Sequence, residues 1–393
     1  MRILILLFLL SILFCCTQQQ NKHPLQSFPI QTDPSLAYAH LFRNGKLKNT
    51  IPFSNQYVLQ NLDSLPFPML DGTLNTALSN QLDALEKYLS YQSKKIGDQI
   101  YSKNDFIEVV QILKRWQLNP HKGIGQELDA YQIWGQDKRG HVKFTGYFTP
   151  IVKVKEQKDS IFRYPIYKRP RNWEGPLPSR AEIDGAGFLK EQNLEIAFAE
   201  SAVDIYYMQL QGSGYIQFPD KTQRLLAYDG TNTHPYRSIE TFALNRPDFG
   251  NSSLTINGIK RFLRSHPHFQ DTLLFHNPSY TFFKMVNRKP SGAAAVPLSA
   301  EISIAVDSRY IPLGACLLAA VPVYDPQSKR IIAHDYRILL AQDVGGAIKG
   351  TGRLDLYMGI GQEGRRRAEK MSHFGQLWLL LPSYREGFGV YIN

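Results

Sequence analysis

Three aspartates stand where short apolar runs end: Asp307 in IAVDSR, Asp343 in LLAQDVGG and Asp355 in RLDLYMGIG. A carboxyl group at the end of a buried strand is partly stripped of water, which raises its pKa and suits it to donate a proton. Glycines nearby, Gly345 and Gly346 after the second aspartate and Gly359 and Gly361 after the third, let a bulky ligand approach the backbone. The same residues permit a quieter reading. An aspartate at the head of a loop bonds backbone amides, stays ionised and acts as a cap. Taken singly, each aspartate fits the cap better; their clustering in one glycine-rich region with aromatic neighbours is what favours proton chemistry.

Other chemistries have weaker signatures. Gly359, Gly361 and Gly364 spell G-x-G-x-x-G, but too little chain follows for a second nucleotide-binding half. In GGAIKGT the lysine precedes the last glycine, so the P-loop order is broken. His266 and His268 flank a stiff proline without a cysteine or carboxylate cluster, and no metal or other cofactor is expected. The run Gln211 to Gly214 is not the serine-hydrolase elbow. Cys316 lies in an apolar run with no local base and reads as a core residue.

The elements that must hold these residues are mostly strands. HVKFTGYFTPIVKV reads as a strand interrupted near Gly146, and Tyr164 to Lys168 continues in β style. DIYYMQLQGSGYIQF alternates around Gly-Ser-Gly and predicts a hairpin or bulged strand. ISIAVDSRYIPLGACLLAAVPVYD gives two apolar β runs, and YRILLAQD and QLWLLLP frame the last two aspartates. Leu78, Leu82, Leu85 and Leu89 recur at helical spacing, as do Phe106, Val109, Val110, Leu113 and Trp116, and again Ile256, Ile259, Phe262 and Leu263. Ser102 or Asn104 would cap the second of these helices. Short strands with glycine-rich turns in the last hundred residues favour a small barrel.

The 393 residues are 43% hydrophobic and 20% charged, which suits a folded globular protein. The net charge of +11 attracts polyanions, including lipid headgroups and cell-wall polymers. With no nucleic-acid module and no basic run longer than Arg365 to Arg367, nucleic acid is not an expected partner. At the N-terminus, the apolar run from Ile3 to Cys16 is too short to span a bilayer but suits a signal-peptide core. Ending at Cys15-Cys16, it is similar to a lipoprotein signal with Cys16 as the acylated residue and Cys15 competing; an ordinary cleaved signal is the other reading. Residues 17–60 read as a tether and irregular lead-in.

Longer motifs carry a resemblance. GYFTP (146–150), LPSRAEI (177–183), MQLQGSGYIQF (208–218), AYDGTNTHPYRSI (227–239), NPSYTFFK (277–284), AAAVPLSAEISIAVD (293–307) and AQDVGGAIKGTGRLDLYMGIG (341–361) together resemble the membrane-bound lytic murein transglycosylase A family. The likeness covers roughly residues 140 to 382 in order. One difference is an extra residue between the last two aspartates.

The resemblance implies a mainly β fold with peripheral helices: a double-psi β-barrel, an inserted smaller β domain, and a groove between them. The expected bounds are 1–16 for the signal, 61–150 with 291–393 for the barrel and 151–290 for the insert, with a three-aspartate region at 293–382. It implies cleavage of the β-1,4 bond between N-acetylmuramic acid and N-acetylglucosamine, leaving 1,6-anhydro ends. Asp355 inherits the acid/base role, and Asp343 and Asp307 inherit support. Tyr147, Thr149, Gln209, Gln211, Ser213, Gly345, Gly346 and Lys349 become groove-lining candidates. The expected partners are peptidoglycan strands, the membrane through the lipid anchor and cell-wall synthesis proteins of unknown identity. The expected place is the periplasmic face, with Thr17 after the cysteine favouring the outer membrane. A muramidase-type hydrolase and a non-catalytic peptidoglycan-binding lipoprotein are the alternatives.

Overall fold

Alternation of apolar and polar residues builds the strand that carries Asp355. Along Arg353–Ile360, Leu354, Leu356 and Met358 are buried, while Arg353 and Asp355 on the opposite face are half-buried, as a two-residue period requires. Val142–Thr149 lies parallel beside it and turns Val142, Phe144 and Phe148 into the same core.

The computed structural model describes residues 57–384 apart from 69–70, 92, 98, 119–122, 136–139 and 251, together with strand residues 27–28, 42–43 and 46–47. The signal core, Cys15 and Cys16 lie outside the described residues. Among the described residues no helix is long and apolar enough to cross a membrane.

The architecture is mainly β with helices around it. Strands β1 (Ser27–Phe28), β2 (Tyr57–Gln60), β3 (Leu128–Ile133) and β4 (Val142–Thr149) belong to a nine-stranded sheet. The chain then forms a six-stranded sheet from β5 (Ile151–Lys155), β6 (Tyr164–Tyr167), β7 (Glu195–Ala199), β8 (Gly214–Gln217), β9 (Gln223–Thr231) and β10 (Thr281–Val286). It returns to the first sheet with β11 (Ser303–Val306), β12 (Cys316–Asp325), β13 (Arg330–Val344), β14 (Arg353–Ile360) and β15 (Ser372–Pro382). The first sheet runs β1-β13-β11-β14-β4-β15-β3-β2, and β12 pairs with both β13 and β15. The second runs β6-β7-β5-β8-β9-β10.

Helix α1 (Gly72–Asp83) starts where the Asp71 carboxylate accepts the Leu74 N–H at 2.8 Å. With α2 (Lys103–Leu118) it covers the large sheet through Leu78, Phe106, Val110 and Leu113. Ser102 precedes α2, and Asp105 accepts from both its N–H and its hydroxyl, so the capping contact is made by the third helical residue. Helix α3 (Ala202–Gln211) packs on β4 and on strands of the second sheet. Helices α4 (Ile239–Leu244), α5 (Ile256–Ser265) and α6 (Gln270–Phe275) add Ile239, Ile259 and Leu273 to the large core, and α7 (Gly361–Ala368) follows β14 directly.

Two local expectations are corrected. Residues 202–211 are helix, not one arm of a hairpin; Ser201 caps the start by accepting the Asp204 N–H, and Gly212 at φ +76° ends it. Met208 and Gln209 are buried along with Tyr206 and Tyr207, so no polar face marks a helical period. The first interruption of the 141–154 strand falls at Pro150, not Gly146. Gly146 sits within β4 because a Cβ there would stand 2.7 Å from the Cα of Ala368 in α7.

Candidate active site

Parallel pairing of β4 with β14 sets Lys143 opposite Arg353, Thr145 opposite Asp355 and Tyr147 opposite Tyr357. These six residues therefore share one face of the sheet, away from the leucines. Thr145 donates its hydroxyl to Asp355 Oδ1, and Arg353 Nη2 stands 3.4 Å from the same oxygen. Asp355 Oδ2 has no protein partner among the described residues. About a fifth of the Asp355 side chain, 21%, is exposed. Burial raises its carboxyl above the usual carboxylate range, opposed by the charge and hydrogen bond of Arg353 and by Lys143. The shift favours the protonated form relative to an ordinary carboxyl.

Asp343 lies at the same level, because Ala305 on the intervening β11 pairs with both aspartates. Two strand spacings put their backbones roughly 10 Å apart. The Tyr147 hydroxyl donates to Asp343 Oδ2 at 3.0 Å, while Oδ1 accepts the N–H groups of Ala293 (3.0 Å) and Val344 (2.9 Å). Burial is also the main reason its carboxyl is raised; these three donors oppose the shift and the charge of Asp355 adds to it. Burial, then Asp343, push the Tyr147 phenol well above its ordinary value, so it stays a donor.

Asp307 is chemically different. Arg309 holds it through Nε at 2.9 Å and Nη2 at 2.6 Å, and the Gly350 N–H donates at 2.7 Å. Chiefly through Arg309, its carboxyl sits far below the usual range. Asp307 is a fixed carboxylate that clasps the 345–350 loop. Three aspartates alike in sequence thus separate into two with raised and one with lowered pKa.

The other expected residues fall into two groups. Tyr147 touches Asp343, and the buried Thr149 hydroxyl is 2.9 Å from the Tyr357 hydroxyl. Gln211 Oε1 accepts the Phe148 N–H at 2.9 Å, tying α3 to β4, and Gln209 is buried with no partner for Oε1. Ser213 is half-buried in the turn after α3, while Gly346 and Lys349 are exposed and Gly345 half-buried on the loop clasped by Asp307. Thr145, Arg353, Lys143 and Tyr357 were missed. Their signal was a two-residue spacing from Tyr147 and Asp355 on strands already expected. The G-x-G-x-x-G is a strand-to-helix junction: Gly359 and Gly361 take φ of +99° and +68°, and a Cβ on Gly364 would meet the Gly359 carbonyl carbon at 2.6 Å. Cys316 is buried, which pushes its thiol up.

The chain is similar in sequence and fold to known proteins. A family model described as the MltA specific insert domain matches residues 143–284, and one described as the 3D domain matches residues 302–381. Over 256 residues the chain is 40% identical to the membrane-bound lytic murein transglycosylase A of Escherichia coli strain K12, spanning 64% of this chain and 69% of that one. It is 32% identical over 378 residues to the Vibrio cholerae protein of the same name, spanning 94% and 92%. The solved structure of E. coli MltA with bound chitohexaose matches with a TM-score of 0.72 at 32% identity, covering 86% of this chain and 98% of that one. A membrane-bound lytic murein transglycosylase from Agrobacterium tumefaciens matches at 0.65 with 25% identity, covering 78% and 92%.

Proposed function

The chain belongs to the membrane-bound lytic murein transglycosylase A family and is a peptidoglycan lytic transglycosylase, and from that premise we propose that Asp355 alone moves the proton. Protonated, it donates to the glycosidic oxygen between N-acetylmuramic acid and N-acetylglucosamine as an oxocarbenium-like centre develops. As carboxylate it then takes the proton of the muramyl C6 hydroxyl, which attacks C1 and closes the 1,6-anhydro ring. The nucleophile belongs to the substrate, so its effective concentration is high and no second carboxylate is needed. The observation that carries this reading is the Asp355 carboxyl, raised by burial, with Oδ1 held by Thr145 and Oδ2 without a protein partner.

We place the bound glycan in a groove between a double-psi barrel and the inserted sheet. The pairings β13-β11-β14-β4-β15-β12-β13 return on themselves, which supports the barrel. Every strand of the second sheet comes from residues 151–286, which supports an insert at 151–290 with 61–150 and 291–393 in the barrel. Tyr147, with Ser213, Gly345, Gly346 and Lys349, lines the groove; Thr149 and Gln211 shape it through Tyr357 and the Phe148 N–H, and the buried Gln209 stands behind it. Asp343 positions Tyr147, and Asp307 positions the 345–350 loop.

The spacing of Asp343 and Asp355 supports a second reading, an inverting hydrolase with Asp343 as base. Against it, donors already occupy both Asp343 oxygens. Digestion of purified sacculi followed by mass analysis separates the two, since anhydro ends are lighter than hydrolysed ends by one water. We expect anhydro ends; hydrolysed ends alone would reverse the assignment, and no release of fragments would leave a binding protein.

The anchor we assign is Cys16, at the periplasmic face of the outer membrane, supported by the apolar run from Ile3 and by Thr17. Cells fed radiolabelled palmitate should label the wild type and not Cys16→Ser; label retained by the variant would remove Cys16 from this role.

A further inference from the structure

We propose that a basic cavity at the seam of the six-stranded sheet binds the carboxylate-bearing stem peptides of peptidoglycan; the inference rests on peptidoglycan being the substrate. The two ends of that sheet, β6 and β10, pack against each other. The chain leaving β6 borders a cavity of about 620 Å³ there, a size suited to a short peptide. Lys168, Arg169, Arg171 and Lys284 line it, together with Asp229 and Trp173.

The charges do not cancel. The Asp229 side chain, only 9% exposed, is shared by Arg171 Nη2 at 2.5 Å and Lys284 Nζ at 3.6 Å. One carboxylate thus engages two of the four cations. Lys168 Nζ and the Arg169 guanidinium have no hydrogen-bond or ion-pair partner among the described residues. Arg169 is nevertheless placed: its Nη1 would lie 2.8 Å from a Cβ on Gly230, whose φ of +110° also favours glycine. The indole of Trp173 is fixed by its N–H donating to the Pro176 carbonyl at 3.1 Å and gives the cavity a flat wall.

Two unpartnered cations call for an anion, and arginine matches a carboxylate with paired N–H donors. The sugar chain of peptidoglycan is uncharged once its lactyl groups carry peptides, so the carboxylates of the substrate lie on those peptides. Asp229 beside the cations disfavours a dianionic phosphate and leaves an acceptor for amide N–H groups. A cavity with free cations, a carboxylate and an indole therefore suits a peptide acid better than a sugar or a phosphate.

The test uses the full chain and soluble peptide-bearing glycan strands, with the stem-peptide carboxylates either free or capped as amides; amidase stripping is avoided because it exposes a lactyl carboxylate on every muramyl residue. Lys168→Gln/Arg169→Gln should raise KM about tenfold on strands with free stem carboxylates, with kcat unchanged, and should change neither value on the amidated strands. Lys168→Gln alone, at an exposed side chain, should move KM the same way by less. KM unmoved on strands with free stem carboxylates, or moved equally on both substrates, would overturn the proposal. Titration with the soluble tripeptide alanyl-γ-glutamyl-diaminopimelate should show weaker binding by the double variant. If that variant instead loses binding to phosphatidylglycerol vesicles while its peptide binding is intact, the cavity serves a lipid headgroup and the proposal fails. No turnover of either strand by the wild type would sink the transglycosylase reading itself, while the tripeptide titration would still decide the cavity.

Discussion

Asp355→Asn should reduce muropeptide release by about 10²- to 10⁴-fold, the range general acid/base catalysis supplies, while leaving the protein folded and able to sediment with sacculi. The asparagine carbonyl can still accept from Thr145 and Arg353, which together hold Asp355 Oδ1. What it loses is the proton. Turnover within tenfold of wild type would remove Asp355 from the acid role, and lost sedimentation would make it a binding residue.

The same assignment fixes the pH response. Asp355 must be protonated to start the reaction, so kcat/KM should fall as pH rises through its raised pKa. Arg353 is the main opposing influence on that shift, because a nearby cation favours the carboxylate. Arg353→Gln should therefore move the alkaline limb to higher pH. A limb that stays in place or moves lower would show that another group limits the rate. Lys143 opposes the shift more weakly, and burial and Arg353 depress its own pKa.

Strands were legible in the sequence wherever one face was apolar and the other polar. Arg353–Ile360 shows this directly, with leucines on one side and the charged pair Arg353 and Asp355 on the other. Helix α3 was not legible, because its consecutive buried tyrosines, methionine and glutamine erase the helical period. Roles at the site were harder still. In the sequence Asp307, Asp343 and Asp355 look alike after short apolar runs, yet only Asp307 follows a strand; Asp343 lies inside β13 and Asp355 is the third residue of β14. The difference lies in contacts made at long range: Gly350 reaches Asp307, Ala293 and Tyr147 reach Asp343, and Thr145 reaches Asp355. Register between β4 and β14 creates the Thr145 contact, and the further registers of β14 with β11 and β11 with β13 bring Tyr147 to Asp343; register is not written in any one strand alone.

The clasp at Asp307 carries the second large effect, on stability. Asp307→Asn preserves shape and one acceptor but turns an amide N–H₂ toward donors already present, the Arg309 guanidinium and the Gly350 N–H. The Arg309 side chain is 67% exposed, so its ion pair counts for little; the buried hydrogen bonds dominate and their loss costs about 2 kcal/mol. At pH 7 this lowers the thermal midpoint by about 2–3 °C. Because the folded carboxyl is depressed, its contribution is fully present above the unfolded value of about 3.9 and is lost as pH falls through the folded one. The gap between wild type and variant should therefore be constant from pH 7 to about 5 and close progressively below about 4. Melting curves across that range decide it: a gap independent of pH would show that Asp307 acts through shape and not through its charge. Activity should fall less than stability suggests at temperatures well below the midpoint, since the clasp holds the loop before Asp355 without touching its carboxyl.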